Sequence, residues 1–481
     1  MSSAITSLKP ALLWKHFDAL TKIPRCSKNE SAAGEYVLAE AKRLHLVTNK
    51  DDAGNIVVRV PATPGHENAP IVVLQGHLDM VCEKNSNTPF DFDKDPIQTK
   101  IAGDWVTACG TTLGADNGIG VAAGLAIAED EACIHGPLEL LMTTDEETGL
   151  NGAISLKSDF IQGRIMINLD SEEEGAFSIG CAGGGDVEMT LPIKRQNGTQ
   201  GQILNITFSG LRGGHSGIDI HTGRGNATQL LARMLSNVKI PFELISLEGG
   251  NKHNAIPREA FAAVIVEPGN VEDFKKAMQK QADDIAFEYK AVEKEMALSI
   301  VPGDSRMPPM DRASSDKFLA FLYALPHGVL AMSQEIPGLV ETSNNLAIVR
   351  TLADTATVYT STRSSIMSAL DAVCNRIKAV AKLAGAEAQD KGGYPSWTPN
   401  LDSPVLKIMK TVYQKLSGKE AKVYAIHAGL ECGIIGEKYP GMDMISFGPD
   451  LKNPHSPDEK VHIESVQRFY NLLVNTLETL S

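Results

Sequence analysis

The sequence predicts an α/β protein, a mixed and largely parallel sheet flanked by helices, with an α+β domain inserted into it. Three observations carry this. Over the first 185 residues short apolar strands alternate with helices, the pattern of a parallel sheet buried on both faces. The alternation breaks at the Gly-rich "CAGGGD" of 181–186 and resumes at about 388. Between the breaks, strands and helices follow one another as a separate layer, one sheet with helices on one face.

In chain order, "MSSAITSLKPALLWKHFDAL" reads as an amphipathic helix. It has no continuous apolar stretch of the kind a secretory leader needs. "NIVVRV" and "APIVVLQG" read as strands, "GIGVAAGLAIAEDE" as a helix, and "PLELLMTT" and "RIMINLD" as strands again. Inside the insertion come the strand "QILNITFSG", a helix over 224–237, strands near 242–248 and 260–266, and a long polar helix over 271–297. The strands "NLAIVR" and "TATVYTSTR" and a helix to 384 complete it. Past the second break are a helix over 403–416, strands "AKVYAI" and "DMISFG", and the closing helix "IESVQRFYNLLVNTLETL". The expected division is 1–186 and 388–481 for the two parts of the interrupted α/β domain and 187–387 for the insertion. The Gly-rich stretches 181–186 and 385–393 supply the two crossing points that an inserted domain needs.

Bulk properties narrow the function by exclusion. A chain of 481 residues with 43% hydrophobic and 22% charged residues has ample material for a core. Its formal charge of -14 argues against nucleic acid and anionic membranes as partners. No apolar run approaches the roughly 20 residues that span a bilayer. The seven cysteines are scattered without a C-x-x-C pair, so free thiols in a cytoplasmic protein are expected, with neither disulfides nor a cysteine-rich zinc site.

Five apolar segments end in groups able to bind a cation. "IVVLQGHLDMV" presents His77 and Asp79, "TTLGADNGIG" Asp116, "LLMTTDEETG" Asp145, Glu146 and Glu147, "IMINLDSEEEG" Asp170, and "ISFGPDLKNPHSPDE" His455. Singly each is ordinary. A histidine after a strand is usually a surface residue, Asp-Asn-Gly is a common turn, and Glu172 to Glu174 read as a solvated loop. Jointly they converge, because ligands of open α/β sheets bind beyond the carboxyl ends of the strands. Two histidines with several carboxylates and no cysteine suit zinc, or cobalt or manganese in its place. Two such ions, roughly 3.5–4 Å apart, acidify a shared water and polarise a carbonyl. The glycines of "GADNGIGVAAG" do not make a dinucleotide site, since an Asp-Asn pair intrudes on the fingerprint spacing.

The motifs "GHLDMV", "GTTLGADNGIG", "DEETG", "NLDSEEEG", "GGHSG", "NAIPREA" and "NPHSPDE" together resemble the co-catalytic zinc peptidases of the aminoacylase, carnosinase and glutamate carboxypeptidase kind, over nearly the whole chain. The resemblance implies two Zn2+ ions, one held by His77 and Asp170, the other by Glu147 and His455, with Asp116 bridging them and preceding a cis peptide to Asn117. It implies Glu146 as general base and acid, and Asp79 as the partner that fixes the His77 tautomer. It makes the insertion a lid in which His215 steadies the oxyanion and Asn254 and Arg363 contact the substrate. The planar guanidinium of an arginine suits a free carboxylate. Gly429 and Glu431 would line the substrate pocket. The implied activity is hydrolysis of short peptides with a free C-terminus, with an N-acyl amino acid deacylase or a tripeptidase as the alternative on the same metals. A homodimer is implied as well, since the lids of smaller relatives dimerise. Whether His215 serves its own chain is left open, because "PGDSRMPPMDRASSDKFLAFLYALPHGVL" has no counterpart in a minimal lid.

Overall fold

The computed structural model describes residues 4–198 and 200–481, so the first three residues of the expected N-terminal helix lie outside the described residues. The rest of that segment is a 3-10 turn at Ala4–Ser7 followed by the helix Ala11–Leu20. The chain forms two compact units. One comprises Met1–Cys181, Trp397–Ala425 and Leu430–Ser481, the other Ala182–Ser396 and Ile426–Gly429.

An eight-stranded sheet organises the first unit. Its strands run Val47–Lys50, Ile56–Val60, Leu138–Thr143, Val72–His77, Ile165–Asn168, Asp443–Ser446, Ala176–Cys181 and Lys422–Ile426 across the sheet. The four in the middle, from Leu138–Thr143 to Asp443–Ser446, are mutually parallel, while the flanking strands are antiparallel. Every residue of Val72–His77 and Leu138–Thr143 is buried, which is why these segments read as continuous apolar runs. Parallel strands end on the same side, so His77, Thr143, Asn168 and Ser446 bring the segments that follow them to one rim. The helix Ala115–Glu129 packs on the strand Val72–His77 and on the helix Ala11–Leu20. A four-stranded sheet of Leu451–Lys452, Lys460–His462, Trp105–Ala108 and Thr99–Ala102 carries the loop that holds His455.

An antiparallel sheet organises the second unit, in the order Ala297–Pro302, Gln202–Ser209, Ala260–Val266, Glu243–Gly249, Val340–Thr351, Thr355–Ser364, Gly183–Pro192, Glu387–Tyr394, with Gly328–Met332 paired to Val340–Thr351. Apolar residues at every second position, such as Val187, Met189 and Leu191 or Leu204, Ile206 and Phe208, make one buried face. The helices Ala227–Asn237, Val271–Glu288, Arg312–Ala324 and Met367–Ala384 supply core residues to it.

Four features differ from expectation. The polar helix starts at Val271 but ends at Glu288, short of 297. Beyond it the carboxylate of buried Glu293 accepts from the N–H groups of Arg212 and Gly225 at 2.8 and 2.9 Å, which draws the chain out of the helical path. The strand Glu387–Tyr394 pairs with Gly183–Pro192, so the chain stays in the second unit to Ser396 rather than leaving at 387. The passage at 303–331 contains the helix Arg312–Ala324, capped by the Asp311 carboxylate on the Ser314 N–H. Finally, the thiols are not all free. Cys26 and Cys82 form a disulfide with Cα atoms 5.6 Å apart, and an isolated parallel bridge between Cys26 and Met80 aligns the two segments. Spacing could not reveal a pairing set by tertiary contact. Cys109, Cys133, Cys181, Cys374 and Cys432 are free.

Candidate active site

The carboxyl ends of the parallel strands assemble a cage in the first unit. His77, the last residue of its strand, is buried, and its Nε2 lies 3.1 Å from Asp116 Oδ1 and 3.4 Å from Asp170 Oδ1. His455 Nε2 lies 3.1 Å from Asp116 Oδ2 and 3.1 Å from Glu147 Oε2. The Asp116 carboxylate therefore turns one oxygen to each histidine. The cage has two lobes, His77–Asp116–Asp170 and Asp116–Glu147–His455, in each of which the ligand atoms lie within 4.8 Å of one another. The Asp116–Asn117 peptide is cis, as the resemblance implies.

The residues expected to support the cage are beside it. Asp79, fully buried, sits 3.3 Å from His77 Nδ1 through Oδ1. It also accepts the Glu146 N–H at 3.0 Å and the Glu147 N–H at 3.2 Å, and the Ser27 hydroxyl donates to it at 2.8 Å. One carboxylate thus fixes both the imidazole and the peptide that carries the two glutamates. Asp145 adopts φ 48, and its side chain accepts from Thr148 and Asn151, so it shapes the turn and leaves the cage to its neighbours. Glu431 is buried and accepts from Gln75 at 2.6 Å and Thr143 at 2.7 Å, residues on the two strands that deliver His77 and Glu146. Glu173 and Glu174 pair with Lys422 and Arg468, consistent with a solvated acidic loop.

Electrostatics show what the cage wants. Burial, reinforced by Asp116, pushes the Asp170 carboxyl well above the carboxylate range. Burial and the neighbouring Asp170, Glu431 and Glu147 do the same to Glu146. Burial alone lowers the His77 imidazole, but Asp170, Asp116 and Asp79 outweigh it and hold it well above its ordinary value. His455, hydrogen-bonded to Asp116 and Glu147, is pushed up to about 11. Asp79 is drawn down to about 2, where its bonds to His77 and the Glu146 N–H outweigh the effect of burial. Among the described residues, the ion-pair partners of Asp116, Glu147 and Asp170 are the two histidines, and the buried Glu147 Oε1 has no hydrogen-bond partner. Crowded carboxylates with a spare oxygen and only nitrogen and oxygen donors fit divalent cations of the zinc type.

A second group lies within the second unit. His215 pairs with Ala255 in a two-stranded ribbon, and its Nδ1 accepts the N–H groups of Gly217 at 3.1 Å and Ile218 at 3.0 Å. With Nδ1 an acceptor, the neutral ring carries its proton on Nε2. Burial and the Arg363 charge draw His215 down to about 4, which keeps the ring neutral. Asn254 is exposed and accepts the Ser216 N–H on its backbone carbonyl at 2.8 Å. Arg363 is only 6% exposed, donates to the Tyr394 hydroxyl at 2.7 Å, and has an unpartnered Nε. A Cβ on Gly217 would lie 3.1 Å from that Nε, and one on Gly429 would lie 2.7 Å from the Tyr394 ring, so both glycines make room around the arginine. Tyr394 escaped the sequence reading because nothing distinguishes "GGYP" from a turn.

A sheet with a parallel centre whose strand ends gather a two-lobed cage of histidines and carboxylates is the build of a metal-dependent hydrolase. The pattern of peptidase family M20/M25/M40 matches residues 73–479, and the chain belongs to that family and is a peptide hydrolase. It is 43% identical over 481 residues to the "Cytosol non-specific dipeptidase" of Escherichia coli (strain K12), covering 99% of each chain. The crystal structure of aminoacylhistidine dipeptidase from Vibrio alginolyticus superposes with a TM-score of 0.92 at 43% identity, covering 99% of this chain and 98% of that one. The aminopeptidase PepT from Bacillus cereus shares the fold, with a TM-score of 0.59 at 16% identity over 98% and 99% of the two chains.

Proposed function

We propose that this chain is a dinuclear zinc dipeptidase of the cytoplasm. It would cleave short peptides with a free C-terminus, aminoacyl-histidine dipeptides such as β-alanyl-histidine in particular. The observation that carries the proposal is the Asp116 carboxylate, which offers one oxygen to the His77 lobe and the other to the His455 lobe. His77 and Asp170 would hold one ion, Glu147 and His455 the other. When bound, the ions supply Lewis-acid activation of water and of the scissile carbonyl. Cobalt or manganese could replace zinc on the same donors.

The chain's own groups do the rest. Glu146 takes the proton of the attacking water on its carboxylate and hands it to the leaving amine nitrogen. Asp79 holds the Glu146 and Glu147 peptide still while this happens. His215 donates from Nε2 to the tetrahedral oxyanion. Arg363, with its free Nε, and Asn254 receive the substrate's carboxylate, and Gly429 keeps the ground beside Tyr394 clear. The names of the Escherichia coli and Vibrio alginolyticus relatives support the dipeptide substrate and the compartment. The homodimer rests on the family resemblance, and sedimentation of the purified chain tests it.

Hydrolysis of a panel containing β-alanyl-histidine, other dipeptides, tripeptides and N-acetylated amino acids, with and without chelator, tests the proposal. Dipeptides should turn over fastest and chelator should stop the reaction. Faster release from acetylated amino acids or tripeptides would move the chain to the alternative class. Activity indifferent to chelator would remove the metals from the account.

A further inference from the structure

Glu459 is a carboxylate that is 2% exposed and has no ion-pair partner among the described residues. It ends the loop after Leu451–Lys452, the loop that carries His455, just before the strand Lys460–His462. Its oxygens accept four backbone N–H groups. Oε2 takes Leu113 at 2.7 Å and Gly114 at 3.0 Å, and Oε1 takes Ala115 at 2.7 Å and Asp116 at 3.3 Å. The Thr107 hydroxyl anchors the Glu459 carbonyl at 2.8 Å. From another direction comes Arg25, also 2% exposed, which donates to the carbonyls of Leu78 and Asp79, each at 2.9 Å, and to that of Gly114.

Gly114 is therefore gripped twice, its N–H by the anion and its C=O by the cation. It adopts φ 72, and a Cβ there would lie 2.5 Å from the Arg25 guanidinium, so only glycine fits. Buried charges are costly unless they are hydrogen-bonded; backbone N–H groups take both Glu459 oxygens, and backbone carbonyls take both terminal nitrogens of Arg25, whose Nε alone has no partner.

We propose that Glu459 and Arg25 are positioning residues that fix the Leu113–Asp116 segment, so that Asp116 presents its two oxygens to His77 and His455 at once. The inference rests on the two-metal reading above. It assigns the two groups different duties. Glu459 shares a loop with His455, so its loss loosens the Glu147–His455 lobe more. Arg25 holds the carbonyls next to His77, so its loss loosens the Asp170–His77 lobe more.

The test is titration of the metal-free full chain with Co2+ alone, followed by visible absorption and calorimetry, with denaturant midpoints of the metal-free proteins measured alongside. Wild type should take two equivalents. In Glu459→Gln an amide NH2 replaces one acceptor oxygen and faces two N–H donors. That variant should keep the first ion near wild-type affinity and bind the second about 10- to 100-fold more weakly, with its absorption bands altered. Two ions bound as in wild type would overturn the inference. A wild type that binds no cobalt would instead overturn the metal reading, and Asp116→Ala run beside it marks that outcome. Should Glu459→Gln fail to fold, Arg25→Lys takes its place. A lysine keeps the charge, but its single nitrogen cannot take the places of both Nη1 and Nη2, and undiminished binding of both ions in that variant overturns the inference equally.

Discussion

The two units concentrate polar chemistry in opposite ways. The first spends its parallel strands on it. The central strands end on the same rim, and three of the four deliver a group that carries charge, so His77, Glu146, Glu147 and Asp170 meet although they are scattered in sequence. In the second, neighbouring strands end on opposite sides, and the polar residues come from separate pieces: Arg363 is next to last in Thr355–Ser364, and His215 lies in a two-residue ribbon. The first unit stores mutual repulsion that a cation relieves. The second holds an imidazole kept neutral and an arginine with a spare donor. A parallel sheet builds a place for chemistry, and an antiparallel one a place for grip.

That contrast can be broken by variants, beginning with the largest effect. Asp116→Ala should empty both lobes and abolish turnover, and elemental analysis finding two metals retained would refute the shared carboxylate. Glu146→Ala should keep both metals and lose about 10^2- to 10^4-fold in kcat. Wild-type turnover there would sink the assignment of the base. His215→Ala should leave metal content unchanged and lower kcat by about 10^2- to 10^3-fold. If kcat holds and only KM moves, the second unit merely grips. Arg363→Lys keeps the charge but loses the planar fork, so KM should rise by about 10-fold, roughly 1.4 kcal/mol. A KM that does not move would take the carboxylate away from Arg363.

The smallest effect concerns stability. His427 is 8% exposed, and burial, with help from Arg363 and His215, draws it down to about 3, while Ser343 Oγ lies 2.7 Å from its Nε2. The folded state therefore keeps this ring neutral where the unfolded chain protonates it. Its contribution is present above pH 6.5 and is lost as pH falls towards 3, about 2 kcal/mol of it by pH 5. Denaturant midpoints at pH 7.5 and pH 5 should converge in His427→Gln relative to wild type; an equal drop in both would show that other groups set the acid limit.

Much of the first unit was legible because its logic is local. An apolar run followed at once by His77 or by Glu146-Glu147 announces both a buried strand and the group at its end. The second unit gave up its strands by their period of two, but the end of the polar helix at Glu288 depends on Glu293 reaching the N–H groups of Arg212 and Gly225. No window of sequence contains that contact. The Cys26–Cys82 disulfide was hidden for the same reason. Glu459 stood in plain view in "NPHSPDE", yet the motif drew attention to its histidine, and a carboxylate that serves four backbone N–H groups looks in sequence like any surface glutamate.

The order of ligands along the chain has a consequence for synthesis. His77, Asp116, Glu147 and Asp170 all leave the ribosome before the second unit is made, and His455 only after it. During translation the nascent chain therefore holds the residues of one lobe but not of the other. A ribosome that stops within 182–396 releases a fragment with Glu146 in place and no complete pair of lobes around it. On the two-metal reading proposed above, the inserted domain acts as a delay line, and peptide cleavage would wait until almost the entire polypeptide has been translated.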